Sequence, residues 1–197
     1  LAFLLKLIHP SLRVIRHDHY GNNEFLSARP YFVLKQTAPF FTGIIVVNQK
    51  LKNWSELKLK AKNIIYLPNF SVKEKSKREA TTLKGSEGKR IVCLANLRPQ
   101  KNHLLLLEVA KKLKKTHSDW TFHLVGKDFE DDYAMQIKKL ILEYDLEKNV
   151  FLYGSRQDVE NILNLTSIAI LTSQSEGLPV SVLEYGLYKK PIVVTRV

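Results

Sequence analysis

The sequence predicts an α/β protein in two units, the second built on a doubly wound parallel sheet. Three observations carry this. Short apolar runs of strand length alternate with stretches of helical spacing throughout the second half of the chain. Several of those runs close on a glycine, as in Val125-Gly126 and Tyr153-Gly154. Between Ser71 and Lys89 the pattern lapses into a charged stretch with no core periodicity, the mark of a boundary. The expected organisation is a partial unit over 1–70, a linker over 71–89 and a second unit over 90–197.

In order, residues 1–8 are apolar and helical, ended by Pro10. Leu12–Ile15 reads as a strand running into the polar cluster Arg16-His17-Asp18-His19-Tyr20-Gly21. A helix is expected near Tyr31–Thr37, then a β-branched strand over Gly43–Asn48. Gln49–Lys62 is helical and basic, with Leu51, Trp54, Leu57 and Ala61 as its core stripe. Asn63–Leu67 is a short strand stopped by Pro68-Asn69. The second unit then alternates cleanly. Strands are expected over Arg90–Ala95, Trp120–Val125, Val150–Tyr153, Ile168–Leu171 and Pro191–Val194. Helices fall between them, over His103–Lys115, Asp131–Tyr144, Arg156–Leu165 and Pro179–Leu187. Such alternation implies a parallel, doubly wound sheet in the second unit.

The 197 residues, 45% hydrophobic and 10% aromatic, suffice for packed cores. The chain begins at Leu1 and its only methionine is Met135, so a fragment or processed chain is expected. No basic leader precedes the first apolar run, and no run approaches the ~18 residues of a membrane span. The single cysteine, Cys93, sits in an apolar run, which excludes an internal disulfide and reads as a small buried hydrophobe in a cytosolic protein. Charge is uneven. Residues 1–90 carry 17 of the 31 Lys and Arg but 6 of the 19 Asp and Glu, a net +11, while residues 91–197 carry 14 and 13. The basic half suits an anionic ligand or the inner face of a membrane, or is simply a solvated surface. Its lysines lack interleaved aromatics, so nucleic acid is not favoured.

Chemistry concentrates at two strand ends of the second unit. The loop Asn96-Leu97-Arg98-Pro99-Gln100-Lys101-Asn102 places two cations before a helix N-terminus, which suits a phosphate. The stretch Thr172–Gly186 turns from strand to helix through Gly177 and Pro179 and carries two glutamates eight apart, Glu176 and Glu184. A carboxylate just inside a helix there can accept two hydrogen bonds from a ribose diol. No G-x-G-x-x-G, Walker lysine or His/Cys metal spacing occurs, so neither dinucleotide nor metal is expected. The run Glu130-Asp131-Asp132 reads as a helix start.

Arg98 with Lys101, Ser175-Glu176-Gly177-Leu178-Pro179, then Glu184, Gly186 and Pro191 resemble the retaining glycosyltransferases of family four. His17-Asp18, Tyr66-Leu67-Pro68-Asn69 and Gly154 with Arg156 and Asp158 extend the resemblance over nearly the whole chain. It implies the GT-B fold, with two Rossmann-like domains facing each other across a cleft. It also implies an earlier N-domain portion and C-terminal elements that this chain lacks. Arg98 and Lys101 would hold the donor diphosphate, Glu184 the ribose, and Glu176 the transferred sugar, with the N–H groups of Gly177 and Leu178 nearby. His17 would be the catalytic histidine of the first domain. His19 is the other candidate, since residues two apart on a strand share a face.

The implied function is transfer of a sugar from a nucleotide-diphosphate sugar to a saccharide or lipid-linked acceptor, with retention, in polysaccharide or glycolipid synthesis. No cofactor or metal is implied. The expected location is the cytoplasm, with or without peripheral contact to anionic membrane. The rival readings are a GT-B nucleotide-sugar epimerase or hydrolase, and an inactive basic binding fragment.

Overall fold

The computed structural model describes residues 2–21, 23–73 and 80–197. It is an α/β protein in which every paired strand runs parallel to its neighbour. Two compact units appear: Leu1–Phe70 with Ser175–Pro179, and Ser71–Gln174 with Val180–Val197.

The first unit holds a three-stranded sheet, β1 (Ile15–Asp18), β2 (Gly43–Val46) and β3 (Ile64–Tyr66), in sequence order. Helices α1 (Ala2–Ile8), α2 (Phe32–Thr37) and α3 (Gln49–Lys58) accompany it. Pairing of Ile15 with Gly43 through Asp18 with Val46 draws the first strand three residues beyond its expected place, so His17 lies within the strand. Asn48 starts α3 by accepting from the Leu51 N–H at 2.8 Å. The helix ends earlier than its periodicity predicts, because Leu59 turns extended and buries itself in the core. Leu57, expected on the buried stripe, is 82% exposed. Steps of three residues fall short of a full turn, so 51, 54 and 57 drift round the helix, and Ser55 takes the inner face instead.

A buried ion pair organises this unit. Asp18, 3% exposed, accepts twice from the Arg29 Nη2, at 3.0 and 2.8 Å. The Arg29 guanidinium lies 4.3 Å from the Tyr20 ring centroid and 4.6 Å from that of Trp54, stacked between the two. One contact set thus joins the end of β1, the turn after it and α3.

The second unit holds β4 (Arg90–Leu94), β5 (Thr121–Val125), β6 (Val150–Gly154), β7 (Ile168–Leu171) and β8 (Ile192–Val194) in the order β6-β5-β4-β7-β8. Its helices are α4 (His103–Thr116), α5 (Asp132–Glu143), α6 (Val159–Asn164) and α7 (Val180–Leu187). All five β5 residues are buried, as a central parallel strand requires. Cys93 is buried and its thiol is pushed up to about 12 by desolvation, which leaves it a packing residue. Asp131 caps α5 by accepting from the Ala134 N–H at 2.9 Å, as expected of the acidic run.

The stretch expected as a linker behaves otherwise where it can be seen, residues 74–79 lying outside the described residues. Leu83 joins the core of the second unit. Thr81 donates to Asp158 through its N–H and its hydroxyl. Burial pushes the Asp158 carboxyl up, but these bonds and one from Asn161 outweigh it and hold it below the usual range. Asp158 therefore clamps an incoming strand of chain rather than capping α6. A charged composition conceals single anchors such as these.

Replacing Arg29 by Ala strands a buried carboxylate, and a loss of about 3–5 kcal/mol is expected. Urea unfolding of the parent and variant measures it; a loss below about 1 kcal/mol would show the pair to be solvated.

Candidate active site

The strand order of the second sheet creates a switch point. From β4 the chain proceeds outward through β5 and β6, then returns to the other side of β4 with β7 and β8. Loops leaving the carboxyl ends of β4 and β7 diverge there, and open α/β sheets bind ligands in that crevice.

Hydrogen bonds stitch these loops together. Thr172 directs its hydroxyl at the carbonyls of Lys101 and Asn102, at 3.1 and 3.0 Å, and the Gln174 N–H donates to Gln100 O at 2.9 Å. On the other side the Leu97 N–H donates to Lys127 O at 2.9 Å, and the Lys127 N–H to Asn96 Oδ1 at 2.8 Å. Gly126 permits this approach: a Cβ there would stand 2.2 Å from the Ala95 carbonyl oxygen. Asn102 takes φ +51°, a left-handed conformation that asparagine tolerates, and passes the chain from a short 3-10 turn into α4.

Three cations come from these loops. Arg98 is exposed, and its guanidinium lies 4.8 Å from the Phe129 ring centroid. The Lys127 ammonium lies 5.0 Å from the same ring. Lys101 is half-buried in the short turn between Arg98 and α4. Phe129 thus holds two of the cations in one place without neutralising them.

Tyr185 seats α7 beside this group. It is wholly buried, its phenol oxygen accepts from the Leu94 N–H at 2.7 Å, and its hydroxyl reaches Ile170 O at 3.4 Å. One side chain therefore binds the ends of both β4 and β7. Burial raises its ionisation well above the ordinary range, so it stays a neutral phenol. Glu184, its neighbour on α7, is left half-buried, and burial alone raises its carboxyl. Among the described residues no ion pair to Glu184 is formed. A carboxylate held at such a cost is a candidate for a functional position.

The remaining candidates belong to the first unit. His17 lies near the end of β1 and His19 just beyond it, both exposed, with ring centroids 3.9 Å apart. The segment Ser175–Pro179 follows β7 in sequence yet packs with the first unit. Ser175 donates its hydroxyl to Gly21 O at 3.1 Å, and Asn69 donates its amide to Leu178 O at 2.7 Å. Glu176, Gly177 and Leu178 are thereby pinned between the turn after His19 and the chain beyond β3.

The structure accordingly brings Arg98, Lys101 and Glu184 onto one unit and His17, His19, Glu176, Gly177 and Leu178 onto the other. Sequence reasoning missed Lys127, Phe129, Tyr185 and Arg29. Lys127 was legible in principle, since it follows Val125-Gly126 at a strand end. The rest act through contacts far apart in sequence.

Known proteins place this arrangement. The model of the glycosyl transferases group 1 matches residues 74–197, more than half of the chain. The chain belongs to this family. An uncharacterised glycosyltransferase of Haemophilus influenzae is 30% identical over 192 residues, 96% of this chain and 52% of the relative. The poly(ribitol-phosphate) alpha-N-acetylglucosaminyltransferase of Staphylococcus aureus is 27% identical over 184 residues, 91% of this chain and 35% of the relative. Among solved structures, a variant of S. aureus TarM in complex with fondaparinux, alpha-GlcNAc-glycerol and UDP aligns with TM-score 0.75 at 24% identity, covering 98% of this chain and 39% of that one. Anabaena HepE in complex with UDP and glucose aligns with TM-score 0.72 at 16% identity, covering 98% and 55%. The chain thus spans about half the length, or less, of these relatives.

Within a group 1 glycosyltransferase, the cost of holding Glu184 makes a pH signature. Its carboxyl is raised from the ordinary 4.5, so the fold disfavours the charged form. The penalty is complete above the raised value and disappears as pH falls through it to 4.5. Glu184→Gln is expected to raise the thermal midpoint at neutral pH, with the gain closing below that value. An equal gain at every pH, or none, would count against a strained carboxylate.

Proposed function

We propose that this chain carries the donor-binding part of a retaining glycosyltransferase that takes a sugar from a nucleotide-diphosphate sugar. The observation that carries the reading is the group at the switch point: Arg98, Lys101 and Lys127 on stitched loops, beside a half-buried Glu184 seated by Tyr185. Three cations meet the charge that builds on the departing diphosphate, and no reorganisation is needed when it appears. The N-terminal N–H groups of α7 add donors of the same sign. Glu184 accepts from the ribose diol. The presence of UDP with TarM and with HepE, both alike in fold, supports a nucleoside diphosphate here.

In the first unit, His17 and Glu176 are assigned to the transferred sugar, with the N–H groups of Gly177 and Leu178. The acceptor is a saccharide or a lipid-linked saccharide of a cell-surface polymer. The names of two relatives support that class: the S. aureus enzyme above, and an amylovoran biosynthesis glycosyltransferase of Erwinia amylovora, 24% identical over 196 residues. The donor group consists of cations and N–H groups, so the reading calls for no metal. A cytoplasmic protein in peripheral contact with anionic lipid fits the basic first unit. There α3 turns Leu57 outward among the exposed Lys58 and Lys60. No helix among the described residues is long and apolar enough to cross a membrane.

Calorimetric titration with UDP, GDP and ADP and their glucose conjugates tests the donor assignment. Each of Arg98→Ala and Glu184→Ala is expected to weaken the preferred nucleotide about ten- to a hundredfold, as loss of one charge-assisted hydrogen bond implies. Unaltered affinity in Glu184→Ala sinks the assignment. Product analysis with the preferred donor separates transfer from hydrolysis or epimerisation. For the membrane contact, sedimentation with phosphatidylglycerol vesicles should fall in high salt and in Leu57→Asp. Binding indifferent to both would dismiss it.

A further inference from the structure

The loop from β5 to α5 is tied down at almost every residue. Gly126 lies against the Ala95 carbonyl, and the Lys127 N–H donates to Asn96 Oδ1 at 2.8 Å. Asp128 turns towards α5. Its carboxylate stands 2.6 Å from the Lys138 ammonium and accepts from the Glu130 N–H at 2.8 Å. Glu130 takes φ +56°, and Asp131 caps the helix. Phe129 is left half-buried, with the Arg98 guanidinium and the Lys127 ammonium over its ring, 4.8 and 5.0 Å from the centroid.

Two like charges repel, and an exposed arginine samples many rotamers, which binding must then freeze. One ring counters both effects. Its face attracts each cation without cancelling its charge, and the two stay near one another because they share it. Asp128, the carboxylate between Lys127 and Phe129 in the chain, does not cancel them either. It is committed to Lys138, whose hydrogen bond holds its carboxyl below the usual range. Two of the N–H groups that open α4 are already taken. His103 donates to the Tyr133 phenol oxygen at 2.8 Å, and Leu105 to Asn102 Oδ1 at 3.4 Å. On this side of the crevice an anion therefore meets chiefly side-chain charge, and the placement of that charge decides which anion it suits.

We infer that Phe129 is a positioning residue which, by holding Arg98 and Lys127 close together, makes the site prefer a diphosphate to a monophosphate. One cation answers one phosphate group, and two held together answer two bridged ones. The nucleoside part of that ligand rests on the donor reading above; the phosphate part does not.

The test is calorimetric titration of the whole chain with UDP, UMP, inorganic pyrophosphate and orthophosphate, in the parent, Phe129→Leu and Phe129→Tyr. The guanosine or adenosine pair replaces UDP and UMP where it binds better. Leucine keeps apolar bulk but removes the aromatic face, and tyrosine keeps both. The preference for UDP over UMP should fall about three- to tenfold in Phe129→Leu and largely return in Phe129→Tyr. The preference for pyrophosphate over orthophosphate should fall in step. In an Arg98→Ala background, Phe129→Leu should cost less, since one cation alone is left to place. A preference unaltered in Phe129→Leu overturns the inference. So does equal weakening of UDP and UMP, since the ring would then only support the loop. A parent that binds pyrophosphate but neither UDP, GDP nor ADP overturns the donor reading, while the pyrophosphate preference still decides the part played by Phe129. A parent that binds none of these anions overturns both.

Discussion

Parallel pairing of β4 with β7 is the constraint on which the rest depends. Once the chain has built β5 and β6 on one side of β4, the next strand returns to the vacant edge of β4 rather than that of β6. Right-handed crossovers then place the helices of the two halves on opposite faces, so the loops above β4 and β7 part. The Tyr185 hydroxyl bridges that parting, with β4 on one side and β7 on the other. Most of what is assigned to donor chemistry in this unit follows the elements joined by that bridge: Arg98 and Lys101 after β4, Thr172 after β7, and Glu184 beside the tyrosine itself, with Lys127 supplied by β5.

The first unit solves a similar problem with charge in place of a phenol. A carboxylate and a guanidinium are both buried, and neither would be tolerated alone. They persist because each answers the other: the carboxylate accepts twice from Arg29 and once from the Tyr20 N–H, and the cation lies between two aromatic faces. The arrangement makes the end of β1 rigid where its exposed face carries two histidines. One strand thus turns its inward residue to the fold and its two histidines to the surface.

Not every part of the site is stable in its own right. Glu184 is half-buried without a cation, while the exposed pairs Lys89 with Asp119 and Lys138 with Asp128 sit where solvation makes them cheap. Among the described residues none forms an ion pair with Glu184. Arg98 and Lys127 stack on Phe129, which leaves their charge directed at whatever binds.

The sequence by itself determined the class of fold, the order of strands and helices, and most of the candidate site residues. Those features are local: periodicity sets each element, and a loop at a strand end is visible as a break in an apolar run. Arg98, Lys101 and Glu176 could be picked out because they lie on such breaks, and Glu184 because it stands eight residues after Glu176 in the helix that follows. Tertiary structure alone decided three things. It drew β1 forward to His17, because register with β2 outweighs a few residues of apolar pattern. It placed Ser175–Pro179 with the first unit, because Ser175 and Leu178 find partners at Gly21 and Asn69, more than a hundred residues away. And it supplied Arg29, Phe129 and Tyr185, whose roles consist of contacts with distant residues and leave no mark on the sequence around them.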